Sequence, residues 1–123
     1  EFDLNEVDDI YKYVDESIKH VDKLLYELQM SCKEQIMVFG FYNPFTNFSD
    51  TLANMVEPII KYANNKMKYL TRKYDITFVD IHDTFLANDN YLPSTLEIHP
   101  NKDGYKAMAD KVISLIDEKT LAK

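Results

Sequence analysis

The stretch Gln35-Ile36-Met37-Val38-Phe39-Gly40-Phe41 decides the fold of this 123-residue chain. Its residues after Gln35 are continuously apolar, and the stretch lies between the polar pair Lys33-Glu34 and an Asn43-Pro44 turn. Such a run is typical of a strand that is buried in a parallel sheet. A second run, from Ile76 to Asp80, has the same character. The sequence therefore predicts two buried strands.

Helices are predicted before, between and after these strands. Apolar residues recur at three- and four-residue steps from about residue 6 to 31, which predicts one long helix. Ser49 or Asp50 caps a second helix, but Pro58 removes a backbone donor, so we expect that helix to be in two pieces. The later piece ends near Lys73, and a terminal helix runs from Pro100 to about residue 119.

The order helix, strand, helix, strand, helix predicts an α/β fold. Strands that are linked by helices imply a three-layer α/β/α sandwich with a parallel sheet and right-handed crossovers. Two strands alone would leave hydrogen-bonding edges unpaired, so we expect a missing N-terminal half or a second copy of the chain to pair with the sheet edge. The chain has only two glycines, which also favours an incomplete α/β domain because strand-to-helix turns usually use glycine.

The composition disfavours several classes of function. The formal net charge of −7 argues against nucleic-acid binding, which normally needs a basic surface. Cys32 is the only cysteine and the three histidines are far apart in sequence, so we predict no metal site and no other cofactor. No apolar stretch reaches the roughly 20 residues of a membrane span. The compartment stays open, and a secreted or cell-envelope location is plausible if a signal peptide precedes Glu1.

The strongest candidate for chemistry is the segment Glu97-Ile98-His99-Pro100-Asn101-Lys102-Asp103-Gly104-Tyr105. Pro100 suits the first turn of a helix, which would put His99 at or beside the N-cap. The amide dipoles at a helix N-terminus oppose a positive ring, so we expect a neutral imidazole. A neutral histidine is suited to act as a general base near pH 7.

The pattern His-Pro-Asn-x-x-Gly-Tyr, followed by an amphipathic helix, resembles the last sequence block of the GDSL, or SGNH, serine hydrolases. The stretches 36–45 and 76–81 are similar to two internal strands of the lipase/acylhydrolase branch of that family. The resemblance implies a flavodoxin-like SGNH-hydrolase fold, of which residues 1–123 form the C-terminal part within a single domain. It also implies a serine esterase or lipase in which His99 is the catalytic general base.

The resemblance leaves part of the catalytic machinery without a counterpart. No Gly-Asp-Ser occurs in the chain, so the serine nucleophile and the oxyanion residues must come from elsewhere, and the chain alone is expected to be inactive. The family usually places its acid three residues before the histidine, where this chain has Leu96. Glu97, Asp89 or a backbone carbonyl could accept the Nδ1 proton instead. The carbonyl is favoured, because the Glu97 side chain reaches the histidine only if the chain turns at Ile98.

The loop after the first strand is predicted to border the site. In open α/β sheets the carboxyl ends of the strands face the ligand crevice. Tyr42, Asn43 and Phe45 are therefore candidate substrate-binding residues for a small-molecule or lipid ester, although ordinary roles in packing and turn formation are equally open.

Two other interpretations compete with this one. His82 lies between Asp80 and Asp83, which suggests a second charge relay, but the family places its base in the later block, at His99. The alternative function is a non-catalytic α/β interaction module or self-associating remnant, in which the His99 segment only starts the last helix.

Overall fold

The computed structural model describes residues 7–95 and 97–116. Helix α1 spans Val7–Ser31, strand β1 Met37–Phe39, helix α2 Asp50–Lys73 and strand β2 Thr77–Val79. A short helix α3, His82–Ala87, a 3-10 turn, Asp89–Tyr91, and helix α4, Lys102–Ser114, complete the order. The first helix, predicted from about residue 6 to 31, is confirmed. Both strands lie within the apolar runs that predicted them.

The two strands pair in parallel, with Met37 opposite Thr77 and Phe39 opposite Val79. Side chains alternate between the two sides of a strand, so neighbouring β1 residues join different hydrophobic clusters. Val38 packs against the first cluster, formed by Leu25, Leu70 and Ile76. Met37 packs against the second cluster, formed by Val79, Ile81, Phe85 and Leu92, which α4 covers with Met108 and Val112. The short sheet therefore joins the α1/α2 pair to the C-terminal segments.

The predicted three-layer α/β/α sandwich, the flavodoxin-like fold expected from the resemblance, is wrong for the part of the chain that the structure describes. That part is mostly helical, and its sheet has two strands of three residues each. Much of the packing is helix on helix, as where Tyr11 of α1 meets Tyr62 of α2 edge to face at 4.9 Å. The sequence pattern located the strands, but two strands of this length do not build a sheet layer.

The predicted break at Pro58 is also wrong, because α2 is continuous from Asp50 to Lys73. A proline inside a helix removes one hydrogen bond, to the carbonyl four residues earlier, here that of Asn54. Both Asn54 and Pro58 are exposed, so water can hydrate the freed carbonyl. The N-terminal prediction is confirmed, since the Ser49 side chain accepts a hydrogen bond from the backbone N–H of Leu52.

Helix α4 begins two residues later than expected. Its N-cap is Asn101, whose side-chain oxygen accepts a hydrogen bond of 2.9 Å from the Gly104 N–H. His99 lies two residues before this N-cap, and so is not at or directly beside it as predicted. The predicted end of this helix near residue 119 is also wrong, because α4 ends at Ser114, with Leu115 as its C-cap.

Asn64 of α2 fixes the chain where it leaves β1. Its side chain accepts the Phe41 N–H at 2.7 Å and donates to the Phe41 carbonyl at 2.9 Å. Gly40 is needed beside this clamp, because a Cβ at that position would lie within 3.0 Å of both the Phe78 ring and the Asn64 side chain. Within residues 7–95 and 97–116 no helix has the length and apolarity needed to cross a bilayer.

Candidate functional site

His99 lies on the segment that leads into α4, and 68% of its side chain is exposed to solvent. The carboxylate of Glu97 contacts the ring at Nδ1 and also accepts the backbone N–H of His99 at 3.0 Å. Both contacts use the same oxygen, Oε1, so the Glu97 side chain reaches His99, although the sequence favoured a backbone carbonyl as the partner of Nδ1. The backbone N–H of His99, and then its ring, lower the pKa of Glu97 below its ordinary value.

An ionised Glu97 at Nδ1 selects one tautomer of the His99 ring. A carboxylate only accepts hydrogen bonds, so the neutral ring carries its proton on Nδ1 and leaves Nε2 as the acceptor. No hydrogen-bond partner for Nε2 occurs among residues 7–95 and 97–116. His99 thus has the hydrogen-bonding pattern of a general base whose proton-accepting nitrogen faces solvent.

Tyr42 ties this segment to the end of β1. Its hydroxyl donates to the Ile98 carbonyl at 2.7 Å, next to His99 in the chain. Its ring stacks on Phe85 with centroids 4.7 Å apart, and burial raises the pKa of the phenol. Because Tyr42 directly follows β1, the histidine segment lies at the carboxyl end of the strands, where a ligand site is expected.

Asn43 and Phe45, the other two predicted binding residues, make contacts within the fold. Asn43 is only 2% exposed, and its amide donates to the Ala53 carbonyl at 2.8 Å and to Glu57 at 3.0 Å. The half-buried Phe45 begins the turn into α2, where its carbonyl accepts the Ser49 N–H at 3.0 Å. Neither residue has a hydrogen bond or ring contact with His99 in the described part of the chain.

His82 forms a second histidine–carboxylate cluster in a different environment. Nε2 lies 2.6 Å from Glu57 and Nδ1 lies 2.9 Å from Asp83, while only 10% of the side chain is exposed. Burial opposes ionisation of Glu57, but the hydrogen bonds from Asn43 and His82 outweigh it and lower the pKa of Glu57. Both ring nitrogens are occupied, so His82 has no free nitrogen with which to accept a proton from a substrate.

Sequence reasoning missed Glu57 as the partner of His82. The two residues are 25 positions apart, and no local spacing links them. Asp80 was considered as a partner of the ring, but it accepts the backbone N–H of His82 at 3.1 Å instead. Only the packing of α2 against the end of β2 brings Glu57 to the ring.

A polar depression of about 250 Å³ opens beside His82. Its lining includes Lys61, Lys68, Asp80 and Asp83. Lys68 forms an ion pair with Asp80 at 3.8 Å. No group of three histidine, cysteine, aspartate or glutamate side chains in residues 7–95 and 97–116 is arranged to hold a metal ion. The depression is thus a surface of mixed charge without a ligating centre.

The structure brings together Glu97, His99 and Tyr42, and places Asn43 in the separate cluster around His82. Leu96 and the side chain of Asp89 lie outside the described part of the structure. No family model matches the sequence, and no curated protein or solved structure was found to match the chain. The similarity to the GDSL/SGNH hydrolases therefore depends on the residues quoted above.

Proposed function

We propose that this chain contributes the general base of a serine ester hydrolase of the GDSL/SGNH type. The observation that carries the proposal is the Glu97–His99 pair, in which the acid holds Nδ1 and Nε2 has no hydrogen-bond partner among the described residues. Nucleophilic catalysis by serine needs a base in this tautomer, oriented by a third group. Glu97 takes the position of that third group, two residues before the histidine instead of three.

The proposed reaction requires a serine hydroxyl from polypeptide outside these 123 residues. Nε2 of His99 removes the hydroxyl proton as the serine oxygen bonds to the ester carbonyl carbon, and then protonates the departing alcohol. Water repeats the sequence on the acyl-enzyme and releases the carboxylic acid. Glu97 stays ionised throughout and stabilises the imidazolium that forms in each step.

The contact between Tyr42 and Ile98 supports the same proposal. A catalytic base must be held within hydrogen-bond reach of its nucleophile, and an exposed segment needs an anchor to achieve this. The Tyr42 hydroxyl supplies one on the Ile98 carbonyl, and the stacking of Tyr42 on Phe85 connects it to the core. The proposed substrate is a small-molecule or lipid ester, the class that the resemblance to the lipase/acylhydrolase branch implies.

The test uses the protein encoded by the full reading frame, with the 123-residue chain as the inactive reference. A fluorophosphonate probe is expected to label a serine in the longer protein, and a p-nitrophenyl ester should be hydrolysed. His99→Ala should lower turnover by about three orders of magnitude, the scale of general-base catalysis with an activated nucleophile.

The matched control is His20→Ala, because His20 is exposed on α1 and belongs to neither carboxylate cluster. This variant should label and turn over like the wild type. Absence of probe labelling in a folded sample of the longer protein would contradict the proposal, and so would unchanged ester turnover by His99→Ala.

A non-catalytic interaction module is the second candidate function. The observation that favours it is the edge of β1 that faces away from β2, where no described strand pairs. Under this function the contact of Glu97 with His99 only stabilises the turn before α4. Failure of the probe, together with self-association of the chain, would select this alternative.

A further inference from the structure

We infer that two copies of this chain associate through the free edge of β1, with the two β1 strands antiparallel about a two-fold axis at Val38. In the described part of the chain β1 is paired on one side only, with β2. The inference deepens the second candidate function, on which it rests, by naming the partner of this edge, and the interface uses none of the residues placed in the catalytic site.

The hydrogen bonds to β2 show which backbone groups of β1 are already used. The Gly40 N–H donates to the Val79 carbonyl at 3.0 Å, and the Thr77 N–H donates to the Ile36 carbonyl at 2.9 Å. Backbone groups alternate in direction along a strand, so the even-numbered residues of this segment face β2. The N–H and C=O groups of Met37 and Phe39 consequently point to the opposite side.

The outward groups of β1 are complementary to themselves. When two identical strands run antiparallel about Val38, Met37 of each copy lies opposite Phe39 of the other. Residues of a hydrogen-bonded antiparallel pair exchange both of their N–H···O=C bonds. Two such pairs give four hydrogen bonds, which satisfy all outward donors and acceptors of Met37 and Phe39 in both copies. A two-fold axis needs only this one surface from each chain.

The side chains at this edge fit the same arrangement. Met37 and Phe39 lie on one face of the strand, and Phe39 is 41% exposed, so each methionine of the pair would pack on an aromatic ring of the other copy. Residues 35–41 contain no charge. No like charges therefore meet across the axis, and the edge lacks the lysine or proline that usually protects a sheet edge from pairing.

Pairing would also enlarge the sheet. A two-stranded sheet is only marginally stable by itself in water, and the two strands here are stabilised by packing against helices. Joining two copies in the order β2-β1-β1-β2 gives one four-stranded sheet, whose centre is the antiparallel pair.

The first measurement is the mass of the 123-residue chain in solution by sedimentation velocity over a concentration series up to about 100 µM, a range that detects micromolar association. A monomer–dimer equilibrium is expected for the wild type. Phe39→Lys places a charge on the edge and should raise the dimer dissociation constant at least about tenfold. Ile113→Lys is the matched control, because Ile113 is an exposed apolar residue on α4, and should leave association unchanged.

The second measurement is amide hydrogen exchange by NMR, which reports the register directly. The amides of Met37 and Phe39 should be protected in the dimer and lose protection on dilution or in Phe39→Lys. Those of Val38 and Gly40 should stay protected in all samples, because β2 holds them, and this also shows that the variant is folded. A monomer at the highest concentration, a dimer unaffected by Phe39→Lys, or unprotected Met37 and Phe39 amides in a dimer would overturn the inference.

Discussion

His82 and His99 each contact a carboxylate through a ring nitrogen, but they differ in burial and in what the second nitrogen meets. The side chain of His82 is 10% exposed and both of its ring nitrogens contact carboxylates, whereas that of His99 is 68% exposed and, within the described part of the chain, only its Nδ1 has a partner. The difference teaches that a histidine beside an acid is not by itself a catalytic pair. A buried ring with two partners holds helices in place, and an exposed ring with one partner can still take up a proton.

The largest expected effect that tests this comparison is on stability at His82. His82→Ala should lower the free energy of unfolding by about 2–4 kcal/mol, because it leaves the Glu57 carboxylate without a hydrogen-bond partner in a largely buried site. His99→Ala should change it by less than about 0.5 kcal/mol, as is usual for exposed positions. Urea denaturation followed by circular dichroism measures both. Equal losses for the two variants would remove the distinction between the histidines.

The next effect concerns Asn64, which holds Phe41 in the loop after β1. This loop supplies Tyr42 to the His99 segment and Asn43 to the cluster around His82. Asn64→Ala should lower the free energy of unfolding by about 1–3 kcal/mol, because the Phe41 N–H and C=O would each lose a hydrogen-bond partner. The neighbouring exposed residue provides the control, and Asn65→Ala should stay within about 0.5 kcal/mol of the wild type. If the two alanine variants unfold at the same urea concentration, the loop is held by other contacts.

The dependence of stability on pH should separate the clusters further. The pKa of Glu57 is lower in the folded protein than its ordinary value. The ionised carboxylate therefore stabilises the fold at pH values above the ordinary pKa, and this stabilisation is lost as the pH falls through the lower pKa of the folded protein. Glu57→Gln should therefore flatten the loss of stability below about pH 4.3, the ordinary glutamate pKa. Urea midpoints measured across the acid range give the slope. Parallel curves for the variant and the wild type would contradict this assignment.

The smallest effect is expected at Glu97. His99→Ala should raise the pKa of Glu97 only part of the way to its ordinary value, because the backbone N–H of residue 99 is the larger cause of the shift and remains in the variant. Carbon NMR of the Glu97 carboxyl group measures this titration, and His20→Ala serves as the control. A complete return to the ordinary value would show that the ring alone holds the carboxylate.

Local patterns predicted the main elements well. The apolar stripe of α1 and the capping serine of α2 depend on interactions within a few residues, so sequence spacing is sufficient to find them. The strands were placed for the same reason. The predicted break at Pro58 failed because the cost of a proline depends on whether water reaches the freed carbonyl, which only the folded surface decides.

The candidate site was predictable only in part. The sequence singled out His99 and Tyr42, but it placed His99 at or beside the N-cap, which is Asn101, two residues later, through its bond to the Gly104 N–H. It favoured a backbone carbonyl for Nδ1, where the structure shows Glu97. These details depend on the path of an irregular segment, for which no periodic pattern exists.

The sequence by itself determined the helices, the two strands and the segment that carries His99, because these follow from periodicity, capping and local chemistry. The tertiary structure alone decided that Glu57 meets His82, that Tyr42 anchors Ile98, and that the sheet stops at two short strands in the described chain. The physical reason is that contacts between distant residues depend on how helices and strands pack in three dimensions, and local sequence spacing does not specify that packing.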